Sequence, residues 1–166
     1  MVAPLVGALA LGGCGVAAET NAATIGGEAI TLAQVDQAAR LQAIGNLALD
    51  EDDPIPMEVR RRALSFLIAA KLLQTEQKRL NIDSPAGLAD QIASKFGADP
   101  AFAKLSDGER SELVAAGTVL STPQQAPDGS EGVGVAELIQ EALISDPGAR
   151  TTFAAAHPHM FRELCA

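Results

Sequence analysis

Apolar residues recur along this chain mostly at helical spacing, and Pro, Gly and Asn interrupt them at intervals. The strongest run lies between Met57 and Leu80, where Val59, Ala63, Leu64, Phe66, Leu67, Ile68, Ala70, Leu72 and Leu73 form one broad face. That face is wider than the stripe of a surface helix, so the run predicts a central helix packed on several sides. Asp53-Pro54 or Ile55-Pro56 can start it with proline at the first helical position. Lys78 and Arg79 stand in its last turn, where cations complement the helix dipole, and Asn81 can take the left-handed closing position.

Upstream, "NAATIGGEAIT" places Ala23-Thr24-Ile25 and Glu28-Ala29-Ile30 on either side of Gly26-Gly27. Two glycines tolerate the positive φ of a tight turn, so a small β-hairpin is expected. Thr31 with Gln34 spells a capping box, which starts a helix directly after the hairpin. A weak stripe of Val35, Ala38, Ala39, Leu41, Ile44 and Ala48 extends that helix to about Leu49. Downstream, Ser84-Pro85 is expected to open a helix running to Phe96, closed by Gly97, and Asp99-Pro100 a short one carrying Phe102 and Leu105. Ser106 and Glu109 form a second capping box for a helix to about Leu120. Beyond the Pro- and Gly-rich "STPQQAPDGSEGVG", Val135, Leu138, Ile139, Ala142 and Leu143 make a clean stripe, and Asp146-Pro147 begins a last short helix with Phe153. The fold class expected is mainly α with one small N-terminal β-hairpin.

Composition narrows the functional classes. The 166 residues suffice for one domain with a real core, and a 48% apolar share without polar low-complexity tracts argues for a folded chain. Much of that share is alanine, so the core should be thin. Five Phe, no Tyr, no Trp and a net charge of −9 leave neither stacking platforms nor a basic groove, which argues against a nucleic-acid partner. Residues 81–166 hold 12 acids against 5 bases, so the acid is concentrated in the C-terminal half, an ordinary solvated surface.

Residues 1–13, "MVAPLVGALALGG", are uncharged and apolar but shorter than the about 20 residues that cross a bilayer. They read as the apolar part of a signal peptide. "LGGC", residues 11–14, resembles the lipobox of bacterial lipoproteins, which implies lipidation of Cys14 and anchoring of the exported protein to the bacterial cell membrane. Signal peptides ordinarily begin with Lys or Arg, so a true start upstream of Met1 is expected. Residues 14–21 form a polar tether. With Cys14 lipidated, Cys165 is a lone thiol; without lipid, a Cys14–Cys165 bridge in an oxidising compartment is the alternative.

"ATIGGEAIT" with "LAQVDQA", and later "RRALSFLIAAKLLQTEQKRLNI", resemble the N-terminal chaperone region of SurA and related parvulin-containing foldases. The positions that carry the likeness are Ile25, Gly27, Ile30 and Thr31, then Arg62, Ala63-Leu64, Leu67-Ile68, Leu72-Leu73 and Ile82. It covers residues 22 to about 83, with Asn81 where glycine is usual and Gln77 where a small residue is. The resemblance implies a helical domain, taken as 22–120, that cradles non-native polypeptide; composition makes 121–134 a linker, and the helices of 135–166 are expected to pack on the same domain. A parvulin module would need roughly ninety further residues, the size of a small domain, so isomerase activity is not expected.

Catalytic and metal chemistry find few candidates. His157, His159 and Cys165 lie in the tail, and structural zinc wants four rigidly held ligands, so no metal is expected. An EF-hand loop from Asp50 would need Gly at Ile55 and Glu at Arg61; the acidic run Asp50-Glu51-Asp52-Asp53 reads instead as a solvated turn, pairing with Arg60 to Arg62. No nucleophile elbow or phosphate-cradling loop is present, and no cofactor is expected. The reading that results is a non-enzymatic, lipid-anchored holdase for unfolded or extended exported polypeptides. The alternative is a lipoprotein adaptor docking one specific envelope partner.

Overall fold

Local signals close the first elements. In the computed structural model, which describes residues 20–25, 27–121 and 132–156, strand β1 (Asn21–Ile25) pairs antiparallel with β2 (Glu28–Thr31). Ile25 faces Glu28 across the turn, where Gly27 has φ +86°, and an irregularity between Asn21 and Ala23 bends the far end. Thr31 then caps α1 (Leu32–Arg40): its Oγ1 accepts from the Gln34 N–H at 3.2 Å, and its own N–H donates to Gln34 Oε1 at 2.8 Å. Both halves of the expected capping box are therefore made.

The helix expected to reach Leu49 breaks early. Leu41 is extended (φ −72°, ψ 117°) and fully buried; a separate turn, α2 (Gln42–Gly45), follows and ends at Asn46 in the left-handed region. Both ends of α2 are satisfied from a distance. The Gln42 N–H donates to Asp99 Oδ2 at 2.7 Å, and Arg62 Nη1 donates to the Gly45 carbonyl at 2.6 Å. Breaking the helix lets Leu41 turn inward, which the periodic stripe could not reveal.

The central helix α3 (Met57–Leu80) is capped by Pro56, which stands just outside the first turn rather than at its first helical position. Asn81 takes φ 52° and ψ 45°, and the Ile82 N–H donates to the Gln77 carbonyl at 3.0 Å, closing the helix as the sequence indicates. Helix α4 (Leu88–Gly97) starts later than Ser84-Pro85 suggests. Ser84 accepts from Gln77 Nε2 instead of capping, and Gly87, with φ +75°, sets the helix start. Short α5 (Pro100–Ala103) is capped by Asp99, and α6 (Asp107–Leu120) by the Ser106–Glu109 box. Beyond Ser121 the expected linker is described only at 132–134. Helices α7 (Val135–Ser145) and α8 (Pro147–Ala156) complete eight helices among the described residues.

Helix α3 contacts β1, α1, α2, α6 and α7, which is the central placement its broad face demands. One core gathers Ile30, Val35, Leu41, Val59, Leu88 and Phe96 with neighbours from α5 and α6; the Phe96 and Phe102 rings meet at 5.8 Å, tilted by 54°. A smaller one unites Ala70, Ala116, Val119, Val135 and Ile139, and seats α7 on α3 and α6. At the end of α3, the almost fully buried Glu76 carboxylate pairs with Arg79 at 2.7 Å, and Arg79 Nη2 reaches the Ala149 carbonyl of α8 at 3.5 Å.

The three consecutive arginines do not pair with the acidic turn. Arg60 takes Asp36 in a two-pronged bond at 2.7 and 2.9 Å, Arg61 takes Glu58, and Arg62 caps α2. The acidic turn is held from elsewhere: Arg40 donates to the Asp50 and Asp53 carbonyls, and Lys104 pairs with Glu51. Asp36 and Arg60 face each other because α1 packs on α3, a tertiary fact that outranks nearness in sequence.

Candidate groove between the third and sixth helices

An open groove of about 580 Å³ runs between α3 and α6, bounded by β2, the first turn of α1 and the segment entering α4. Its α3 wall carries Leu67, Lys71, Gln74 and Lys78, spaced so that they share one side of the helix. The α6 wall carries Ser111, Glu112 and Ala115. Between them Ile30, Ala70, Ala116 and Val119 form a buried floor. Alanine at Ala70 and Ala116 holds back no side chain, which allows the two helices to pack with an open strip above the contact.

Polar groups on the rim are partly engaged with each other. Glu28 of the hairpin pairs with Lys71, and that bond holds the Glu28 carboxylate below its usual range, with the positive Lys78 nearby adding to the effect. Gln34 Nε2 donates to Glu112 Oε2 at 3.2 Å, and Gln77 Nε2 to Ser84 Oγ at 2.9 Å. Just outside the groove, Glu109 accepts from the Ser106 hydroxyl and backbone and then from Gln37, which together lower its pKa. These contacts tie α1 to α6 and fix the groove's near end.

The residues singled out from sequence for chemistry do not meet here. Cys14, the signal segment 1–13, His157, His159 and Cys165 all lie outside the described residues. Of the acidic run, Asp50 and Glu51 line a different cleft, of about 570 Å³, beside Arg40 and Lys104, and the Asp53 carboxylate accepts from the Asp50 N–H within the turn itself. Among the described residues no cluster of three or more His, Cys, Asp and Glu could hold a metal ion, and no helix is long and apolar enough to cross a membrane. What sequence reading missed is the polar face of α3. The spacing of Lys71, Gln74 and Lys78 was visible, but nothing local distinguishes a groove wall from a solvated face.

Residues 1–112 match the family described as SurA-like N-terminal domain, two thirds of the chain. No curated protein and no solved structure matches it. The match runs from the first residue into α6 and takes in most of the groove, including Ile30, Leu67, Lys71, Lys78 and Glu112. The chain therefore belongs to the SurA-like N-terminal domain family, whose role is chaperone-related and whose members occur in periplasmic and envelope proteins.

Proposed function

We propose that this SurA-like N-terminal domain protein is an exported, lipid-anchored holdase that receives non-native segments of other exported polypeptides in the groove between α3 and α6, without isomerase activity. One observation carries the reading: the family match and the groove coincide over most of the groove's lining. A groove with apolar floor and amide-bearing walls suits a polypeptide without fixed structure, since the floor takes side chains and the amides take backbone groups. Residues 22–120 act as the binding domain, 121–134 as a linker, and the helices within 135–166 as a brace on its back. Cys14 carries the lipid and holds the groove near the membrane, after removal of residues 1–13.

The test uses residues 19–166, which contain every described residue. A stoichiometric amount is expected to suppress aggregation of several unrelated unfolded proteins beyond a folded helical control of similar charge. Suppression no better than the control removes the holdase reading and leaves an adaptor with one partner. Mass spectrometry of membrane-extracted protein addresses the anchor separately, because an unmodified Cys14 in a chain still carrying residues 1–13 overturns it.

A further inference from the structure

We infer that the groove selects extended segments of small side chains that carry a carboxylate, with Lys78 as the residue that reads the charge; this deepens the holdase reading and rests on it. Three features of the groove lead there. The first is its shape. Ala70 and Ala116 are 2% and 4% exposed, so the floor is nearly closed, while the rim is set by the exposed alanines Ala29, Ala89 and Ala115. Among the described lining residues none is aromatic and none is methionine, the side chains that elsewhere make deep, adaptable pockets for large apolar groups. A shallow strip of this kind accommodates Ala, Ser or Val and leaves a Phe ring mostly in water.

The second feature is an unengaged amide. Gln74 lines the α3 wall and its side-chain amide forms no hydrogen bond among the described residues, whereas those of Gln34 and Gln77 are engaged. Its side chain offers both donors and an acceptor, which matches the alternating N–H and C=O of an extended backbone irrespective of sequence.

The third is the charge. Lys71 is neutralised by Glu28, whereas Glu112 keeps its negative charge and is held by Gln34 of α1; Lys78 stands instead beside Gln77, whose amide donates to Ser84. Lys78, two turns beyond Lys71 on the same face, feels Glu28 but makes no ion pair among the described residues. It is exposed, so it can turn toward a ligand at little cost. The chain as a whole, at −9, repels an acidic segment at long range. At physiological ionic strength that repulsion is screened beyond about 8 Å, so a segment carboxylate seated on the Lys78 side of the groove meets that lysine, while Glu112 disfavours one on its own side.

The experiment uses the full chain in non-ionic detergent and short fluorescent peptides of one length. Each is built on Ala, Ser and Val, with Glu, Lys, Gln or Phe at the same positions, and binding is read by anisotropy. The Glu peptide is expected to bind about fivefold more tightly than the Lys peptide, the scale of one exposed ion pair. Lys78→Glu should reverse that order, and Ala115→Trp, which fills the strip from an exposed position, should weaken all four. Circular dichroism confirms that both variants remain helical. A Phe peptide that binds most tightly overturns the inference, as does a Glu-to-Lys ratio untouched by Lys78→Glu, or binding indifferent to Ala115→Trp. Aggregation suppression separates the two levels. Suppression without the charge preference overturns only the selectivity, and loss of both overturns the holdase reading as well.

Discussion

The two cores of this protein are built on different terms. The first draws large side chains from the hairpin and six helices: Leu41 and Leu88 are among its fully buried members, and the Phe96–Phe102 ring pair lies within it. The second rests on Ala70 and Ala116 and owes its bulk to Val119 and to Val135 and Ile139 of a single added helix. Hydrophobic stabilisation scales with apolar area removed from water, about 25 cal/mol per Å², so alanine contributes little and leucine much. The C-terminal helices should accordingly come loose at a lower cost than the body that bears the groove. Economy in the second core has a structural consequence too, since the same alanines that weaken it keep the floor of the groove low.

Breaking the first core should have the largest effect. Leu41→Ala removes a fully buried side chain from a site where a helix was interrupted to place it. A loss of about 3–4 kcal/mol is expected by urea denaturation followed at 222 nm, in one transition. Ile139→Ala should lose about 2–3 kcal/mol, mostly from α7, because the residue is buried in the smaller core that seats α7 on α3 and α6. Hydrogen exchange then tells the regions apart: α7 amides lose protection while those of α1 and α4 keep it. Equal loss in both would show that the two cores unfold as one.

Gly117 sharpens the comparison from the boundary between the regions. A Cβ there would stand 2.7 Å from Ile92 Cγ2 and 3.0 Å from Phe96 Cζ, so α4 and α6 approach as closely as they do only because this side chain is absent. Gly117→Ala gains about 1 kcal/mol of helix propensity and loses about 1–3 to overpacking. The expected net is a destabilisation of about 1 kcal/mol, visible as a lower urea midpoint with the slope unchanged. A rise in stability would mean that α4 moves aside freely.

Acid should act most gently, and on the first region. Glu28, Glu51 and Glu109 are each held below the ordinary value of 4.5, by Lys71, Lys104 and Ser106 respectively. A carboxylate whose folded pKa is depressed lends stability that is fully present above its unfolded pKa and is lost as pH falls through the folded one. The melting temperature is therefore expected to stay level from neutral pH down to about 5 and to decline below about 4.5. Glu28 and Glu51 are exposed and Glu109 is half-buried at the surface, so the decline should be small and should shrink in high salt. A decline that starts above pH 5 would point to other groups.

Much of this was legible in the chain. The capping boxes at Thr31 and Ser106, the left-handed Asn81, the Asp99 cap and the stripe of α7 are read from neighbours within four residues, and short-range hydrogen bonds and sterics act at that range. The N-terminal match to a known family rests on the same local patterns. Less legible was the break at Leu41, which depends on Asp99 and Arg62 reaching over from other elements, and the partner of Arg60, which is Asp36 and not the adjacent acids.

The groove belongs to this second kind. Alanine, glutamine and lysine favour a helix equally on a groove wall and on a solvated face, so nothing in α3 or α6 alone distinguishes the two. By itself, the sequence determined the kind and order of most helices and strands, because those choices are made largely by each residue against its near neighbours, although not the break at Leu41. Only the tertiary structure decided which faces meet and which stay open, because that depends on side-chain volume at contacts between segments far apart along the chain. The packing of Ala70 and Ala116 into one core and of Gly117 against Ile92 depends on such contacts.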